Sequence, residues 1–289
     1  MSSLKSGFVA VAGRPNVGKS TLVNELCGEK IAIASDKPQT TRRRVSGVAN
    51  GDGFQLVLAD LPGFQRPRDA LTERMQRTVD SSFEDVDGVL FVLAADEAIG
   101  AGDRFIAERV FGGEAPVVVA VNKIDRIARP KVLEQIARAA ELGPFQELHP
   151  VSARSGEGVD TLRESLVALL PEGPEYFPPG EVTDLSLAER IGELVREQAL
   201  EATREEVPHS VGVEVEELEE ARVRAVVYVE TESQKGILVG KGGTMIRTIG
   251  SRARPEIERL LGRKVFLELV VKVRPRWRRD ENLLERLGI

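Results

Sequence analysis

The stretch GRPNVGKST (Gly13 to Thr21) lies between an apolar run, GFVAVAG, and an amphipathic one that continues as LVNELC. It fits the pattern G-x-x-x-x-G-K-[ST], which has a mechanism only where a strand runs into a helix. Gly13 and Gly18 let the backbone curl so that successive N–H groups face a phosphate chain, and the helix N-terminus adds its positive end. Lys19 then reaches the β- and γ-phosphates, and Ser20 offers a hydroxyl to Mg2+. The run Gly13, Arg14, Pro15, Asn16, Val17, Gly18, Lys19, Ser20 and Thr21 therefore reads as a phosphate cradle. A chain that begins strand–loop–helix in this way is committed to an α/β layer structure.

Strand-like and helical runs alternate over the first 170 residues or so. VSGVANGDGFQLVLADLPG reads as a hairpin turning at Asn50-Gly51-Asp52-Gly53. GVLFVLAA, APVVVAVNKID and FQELHPVSA follow as strands, with helices near 103–111 and 131–142 and a last one at VDTLRESLVALL. Continuous apolar strands between helices predict a mostly parallel six-stranded sheet covered on both faces. Several strands end in residues suited to a nucleotide, and ligands of such sheets bind outside those ends. In ADLPG, Asp60 can hold Mg2+ through water, and Gly63 leaves a peptide N–H free to approach a γ-phosphate. In NKID (Asn122, Lys123, Asp125), the Asp125 carboxylate can accept from both guanine N1–H and the 2-amino group. Adenine lacks that pair, and buried groups left unsatisfied in this way discriminate by up to about 10^4-fold. VSA (Val151 to Ala153, with Ser152) can set a backbone N–H against guanine O6.

The 289 residues are 42% hydrophobic and 30% charged, as expected of a soluble globular protein of about two domains. No apolar run approaches the roughly 20 residues that span a bilayer. The start, MSSLKSGFVAVAG, lacks the pattern of a secretory signal. Cys27 is the single cysteine, so a reducing compartment, the cytoplasm, is expected. His149 and His209 are isolated and suggest no metal cluster. The net charge of −6 conceals an asymmetry: residues 181–234 hold 5 basic and 15 acidic residues, whereas 235–279 hold 13 basic and 3 acidic. A basic block in an acidic chain points to a localised polyanion-binding face.

Domain boundaries follow from the same reading. Pro171, Pro174, Pro178 and Pro179 mark a stiff linker. The organisation is thus a first domain over 1–173, a proline-rich linker over 174–184, and a second domain with a C-terminal tail over 185–289. Ser186 and Glu189 form an S-x-x-E box that opens a helix. Two strands follow, then a short helix, the turn GKGG (Gly240 to Gly243), a second helix and the strand KVFLELVVKV. Pro255 within that second helix is expected to kink it or mark a fresh start. GKGG between two helices fits the G-x-x-G loop of a KH fold, which lets a sugar–phosphate backbone approach closely. Lys241 and the helix start at Thr244 would attract phosphate. Ile237, Leu238, Ile246 and Ile249 have the spacing of an apolar groove floor. Trp277 suits either stacking on a base or anchoring the terminal segment.

The motifs GRPNVGKST, KPQTTRRR, DLPG, NKID and VSA resemble those of the translation-factor-related GTPases. With GKGG and the linker included, essentially the whole chain is similar to the Era family of ribosome-assembly GTPases. The resemblance implies a P-loop GTPase domain plus a smaller α+β, prokaryotic-type KH domain. It implies binding of GTP/GDP with Mg2+, slow hydrolysis, and recognition of the single-stranded 3′ end of small-subunit ribosomal RNA during assembly of the small ribosomal subunit. A switch threonine, Thr40 or Thr41, completes the Mg2+ shell. Hydrolysis would use Lys19, Thr41, Gly63 and Asn16, because Phe64 stands where Ras-like enzymes place a water-orienting glutamine, and Gln65 faces elsewhere. Related GTPases with an asparagine at Asn16 use K+. The RNA contacts implied are Ile237, Gly240, Lys241, Gly242, Gly243, Ile246 and Arg247, with Lys272, Arg274 and Arg276 from the basic block. A monomer is expected. Association with the inner face of the membrane is implied by the family alone, since the sequence shows no amphipathic anchor. An RNA-binding factor for which GTP is mainly a structural ligand is the competing function.

Overall fold

A computed structural model describes residues 4–33, 35, 37, 40–63, 69–83, 85–203 and 207–289. The contacts divide the chain into two compact units, the main cut falling between Asp184 and Leu185. The first unit is built on a six-stranded sheet of order β2-β3-β1-β4-β5-β6. Its strands are β1 (Lys5–Ala12), β2 (Val45–Gly51), β3 (Phe54–Asp60), β4 (Gly88–Ala94), β5 (Val117–Asn122) and β6 (Glu147–Pro150). All neighbouring strands are parallel except β2 and β3, whose antiparallel pairing turns where the Asn-Gly-Asp-Gly signal places it.

Burial explains the strand sequences. Val9, Ala10, Val11 and Ala12 are at most 1% exposed, so β1 needs apolar side chains on both faces. One face packs against α1 (Lys19–Cys27) and α5 (Val159–Leu169), with Leu22, Val23, Leu162 and Leu166 in that core. The other packs against α3 (Ala101–Phe111) and α4 (Arg129–Ala140), with Ile106, Val110 and Ala139. The chain leaves β1 toward neighbours on opposite sides, which opens a crevice at the strand's C-terminal end. A further helix, α2 (Ala70–Ser81), follows the DLPG strand and was not foreseen in the sequence.

The proline-rich segment packs against this first unit. Gln55, 2% exposed, accepts from the Tyr176 and Phe177 N–H groups at 2.8 and 3.0 Å and donates to the Phe177 carbonyl at 2.9 Å. Its side-chain amide thus stands in for a strand's peptide. Further along, the Val48 N–H donates to the Val182 carbonyl at 2.8 Å, and Asp184 accepts from the Ser46 N–H and hydroxyl. The outer edge of β2 is covered in consequence, which removes an exposed strand edge.

The second unit holds α6 (Leu187–Ala202), α7 (Val207–Ser210), β7 (Gly212–Leu218), β8 (Arg222–Val229), α8 (Glu232–Val239), α9 (Thr244–Leu261), β9 (Phe266–Val273) and α10 (Glu281–Arg286). Its sheet runs β7-β8-β9, with β8 and β9 parallel. The capping box at Ser186 forms as the sequence predicts: Ser186 Oγ accepts from the Glu189 N–H, and Glu189 accepts from the Ser186 N–H at 2.8 Å. Ile191, Val195, Val227, Leu238, Ile249, Ala253 and Ile257 form the core. Of the two outcomes expected at Pro255, a fresh start does not occur, since α9 runs continuously through it. Ser251, Arg252, Arg254 and Pro255 are exposed, so the carbonyl freed by the missing N–H is open to water, while Ile249, Ala253 and Ile257 hold the other face.

Trp277 is fully buried, and its indole donates to the Ser210 carbonyl at 2.8 Å. It anchors the terminal segment and does not face a ligand. Trp277→Ala is expected to cost about 3–5 kcal/mol, measured by urea denaturation followed by circular dichroism; a loss under about 1 kcal/mol would mean the site collapses around the gap.

Candidate functional site

A buried asparagine at the end of β5 ties the phosphate loop to the base-side loop. Asn122, 2% exposed at the end of β5, donates to the Val17 carbonyl at 2.9 Å and accepts from the Ala153 N–H at 3.0 Å. It thereby joins the phosphate cradle to the VSA segment. Gly18 has φ +96°, and a Cβ there would fall 2.3 Å from the Asn122 amide nitrogen. Both its backbone shape and its lack of a side chain are therefore required. Lys19 is 7% exposed and donates to the Gly13 and Arg14 carbonyls at 3.0 and 3.1 Å. Burial pushes its pKa below the ordinary lysine value, against the pull of nearby Asp60. With no acidic residue in its first turn, α1 presents free N–H groups and a positive dipole end to an anion.

Asp60 ends β3 fully buried. Its Oδ2 accepts from Ser20 Oγ at 2.7 Å and from Thr41 Oγ1 at 3.3 Å, and the two hydroxyls lie 3.1 Å apart. Oδ1 is buried without a hydrogen-bond partner. Burial raises the Asp60 pKa, opposed by Lys19 and the two hydroxyls. A buried carboxylate with a vacant oxygen beside two hydroxyls is an all-oxygen set suited to a hard divalent cation such as Mg2+. Thr40 instead donates its hydroxyl to the Lys37 carbonyl at 2.6 Å, so of the two threonines Thr41 faces this set. Gly63 lies against Pro15 of the cradle, where a Cβ would meet the proline ring at 2.8 Å. Phe64 and Gln65 lie outside the described residues.

On the base side, Asp125 is exposed, and its Oδ1 accepts from Ser152 Oγ at 2.7 Å. Ser152, itself fully buried, thus orients the carboxylate. Lys123 has φ +67° and directs its ammonium toward Asp96, 3.6 Å away. The Arg14 guanidinium pairs with Asp103 at 2.7 Å and Glu97 at 3.1 Å. Asn16 adopts φ +65° at the exposed rim of the loop.

In the second unit, Gly240, Gly242 and Gly243 all adopt positive φ, and Lys241 is exposed between them. Arg247 donates to the Gly243 and Gly242 carbonyls at 3.1 and 2.7 Å, bracing the turn from the first coil of α9. The four apolar residues read as a groove floor separate. Leu238 and Ile249 are fully buried core, whereas Ile237 is 47% exposed and Ile246 partly so. Lys272 pairs with Glu216 at 2.8 Å and Arg274 with Asp280, while Arg276 is exposed. Among these outer cations, two therefore already have a carboxylate partner.

This sheet, its phosphate cradle and its base-side loop define the class: a P-loop GTPase joined to a KH domain. A family model described as 50S ribosome-binding GTPase matches residues 8–123, and a KH-domain model matches residues 206–278. Over its full length the chain is 46% identical to GTPase Era of Mycobacterium sp. (strain KMS), covering all of that protein. It is 44% identical to GTPase Era of Heliobacterium modesticaldum, covering 98% of it. A crystal structure of an Aquifex aeolicus Era variant bound to GDP·AlF4− superimposes with a TM-score of 0.94 at 39% identity, covering 99% of each chain. A structure of Era with MgGDPNP and nucleotides 1506–1542 of 16S ribosomal RNA gives 0.92 at 38% identity, again with 99% of each chain covered. The chain belongs to the Era family of GTPases.

The Asp60 geometry yields a direct test. Asp60→Asn is expected to weaken Mg2+ by about 10–100-fold, the range for groups that orient a metal's ligands. Chelation of Mg2+ should speed GDP release from the wild type but scarcely from the variant; equal acceleration in both would remove Asp60 from the metal site.

Proposed function

We propose that this GTPase is a switch that grips the single-stranded 3′ end of small-subunit ribosomal RNA through its KH loop and acts in assembly of the small ribosomal subunit. The observation that carries the RNA half is the exposed GKGG turn with Lys241 at its crest, lying within the basic block of an otherwise acidic chain. The relative solved with a 16S ribosomal RNA segment shares the whole fold, which supports the same class of ligand here. Gly240, Gly242 and Gly243 present backbone to the sugar–phosphate chain; Ile237 and Ile246 offer apolar surface to bases; Arg247 holds the turn in shape. Arg276 and, on release from their carboxylates, Lys272 and Arg274 supply longer-range attraction.

At the nucleotide, the backbone N–H groups of Gly13, Arg14 and Asn16 to Thr21 hold the phosphates. Lys19 exchanges its two carbonyl partners for β- and γ-oxygens. Asp125, oriented by Ser152, accepts from guanine, and Asn122 and Ala153 fix the loop that frames the base. Ser20, Thr41 and Asp60 would hold Mg2+, which when bound neutralises charge on the phosphate oxygens. The Gly63 N–H faces the γ-phosphate. Asn16, exposed on the rim of the cradle, would ligate a K+ ion that supplies positive charge for hydrolysis without a glutamine. Turnover is then expected to rise by about tenfold or more when K+ replaces Na+ at fixed ionic strength, a change worth about 1.4 kcal/mol in the barrier. Equal rates in both salts would remove Asn16 from this role.

The RNA assignment is tested at the turn itself. Lys241→Asp with Gly242→Asp places two carboxylates where the RNA backbone approaches. A Cβ at Gly242 meets nothing within 4 Å, and Asp tolerates its φ of +61°, so the fold is expected to survive. RNA affinity should fall at least about tenfold with a shallower salt dependence, and GTP affinity should not change. Wild-type RNA affinity and salt slope in the folded variant would overturn the assignment.

A further inference from the structure

The segment from the end of β4 through the first turn of α3 carries carboxylates that face both nucleotide-binding loops. Asp103, 2% exposed, accepts from Arg14 Nε at 2.7 Å through one oxygen and from the Gly100 N–H at 2.9 Å through the other. Glu97 accepts from Arg14 Nη2 at 3.1 Å, and its second oxygen lies 3.8 Å from Lys123 Nζ. Asp96 lies 3.6 Å from the same ammonium and 3.0 Å from Arg126. The backbone repeats the link, since the Ala95 N–H donates to the Asn122 carbonyl at 2.7 Å. Helix α3 approaches this closely because Gly102 lacks a side chain: a Cβ there would fall 2.8 Å from Arg14 Cδ.

Arg14 is the second residue of the phosphate cradle, and its carbonyl already accepts from Lys19. A guanidinium tied sideways to a buried carboxylate fixes the backbone at that position, so the loop's N–H groups keep their aim. Lys123 is likewise the second residue of NKID, in a backbone conformation that costs energy unless its surroundings hold it. The same short segment grips both. We propose that Asp103 and Glu97 are positioning residues for nucleotide retention: through Arg14 they brace the phosphate loop, Glu97 also braces the base loop through Lys123, and together they set how long bound GDP stays. This rests on the guanine-nucleotide reading of the site. Asp103 is buried while Arg14 is 26% exposed and keeps Glu97 as a second partner, so losing Asp103 should loosen the loop without leaving a buried charge unpaired.

The test is stopped-flow release of a fluorescent GDP from the full chain. Asp103→Ala and Arg14→Met should each speed release about tenfold, and the double variant should release at about the rate of the faster single, because both act through one contact. For Asp103→Ala, kcat at saturating GTP should stay within about twofold while KM rises. A carboxylate that merely capped α3 would lower the thermal midpoint and leave release untouched. Glu97→Gln, at a side chain 44% exposed, folds independently of the buried site and should speed release in the same direction. Unchanged release in both carboxylate variants, or fully additive effects in the double variant, would overturn the proposal. A wild-type chain that failed to retain GDP at all would overturn the nucleotide reading with it.

Discussion

The phosphate loop and the base-side loop are joined through the buried amide of Asn122. It lies at the end of β5, where five buried apolar residues fix the backbone, and it spends donor and acceptor on two different loops. Side-chain amides are well suited to this task, being neutral and able to donate and accept at once. An aspartate could not donate to the Val17 carbonyl, and an apolar residue would leave that carbonyl and the Ala153 N–H unpaired. The cost of one unpaired buried polar group is about 1–3 kcal/mol. Gly18 follows from the same constraint, because the amide occupies the space of its missing side chain.

The glycine-rich turns of the two units achieve anion affinity by opposite routes. The phosphate cradle buries its lysine, strains its protonation and supplies internal carbonyls to hold it, so its charge is strong and short-ranged. The GKGG turn leaves Lys241 in water, where its attraction is screened by salt and depends on numbers of charges more than on geometry. The first arrangement suits one compact ligand held tightly. The second suits an extended polymer that must be found, threaded and let go.

The parts legible in the sequence were those whose chemistry fixes a spacing along the chain. The phosphate loop, NKID, the hairpin turn at Asn50 and the capping box at Ser186 all depend on near neighbours. The direction of Arg14 did not show, because Asp103 lies 89 residues away and nothing local announces it. Thr40 and Thr41 are adjacent and chemically alike, so the backbone decides which one faces Asp60. Of the four residues read as one groove floor, Leu238 and Ile249 belong to the core, since neighbours on a helix differ by about 100° in direction and spacing alone cannot say which face is covered. Pro255 is tolerated because the exposed side of α9 happens to carry it. The proline-rich run reads as a spacer by composition, yet Gln55 holds it through three hydrogen bonds that only the tertiary structure brings together.

The pairing of β9 with β8 sets the order in which the molecule can be completed. The two strands are parallel, and all of α8 and α9 lies between them in sequence. Long-range parallel pairing of this kind is slow, because loop closure must precede the contacts that reward it. During synthesis the nucleotide-binding sheet, whose last strand ends at Pro150, can close while the chain beyond it is still emerging. The three-stranded sheet cannot close until β9 and the Trp277 anchor have been made. In the growing chain the nucleotide-binding sheet can therefore be complete before the three-stranded sheet is.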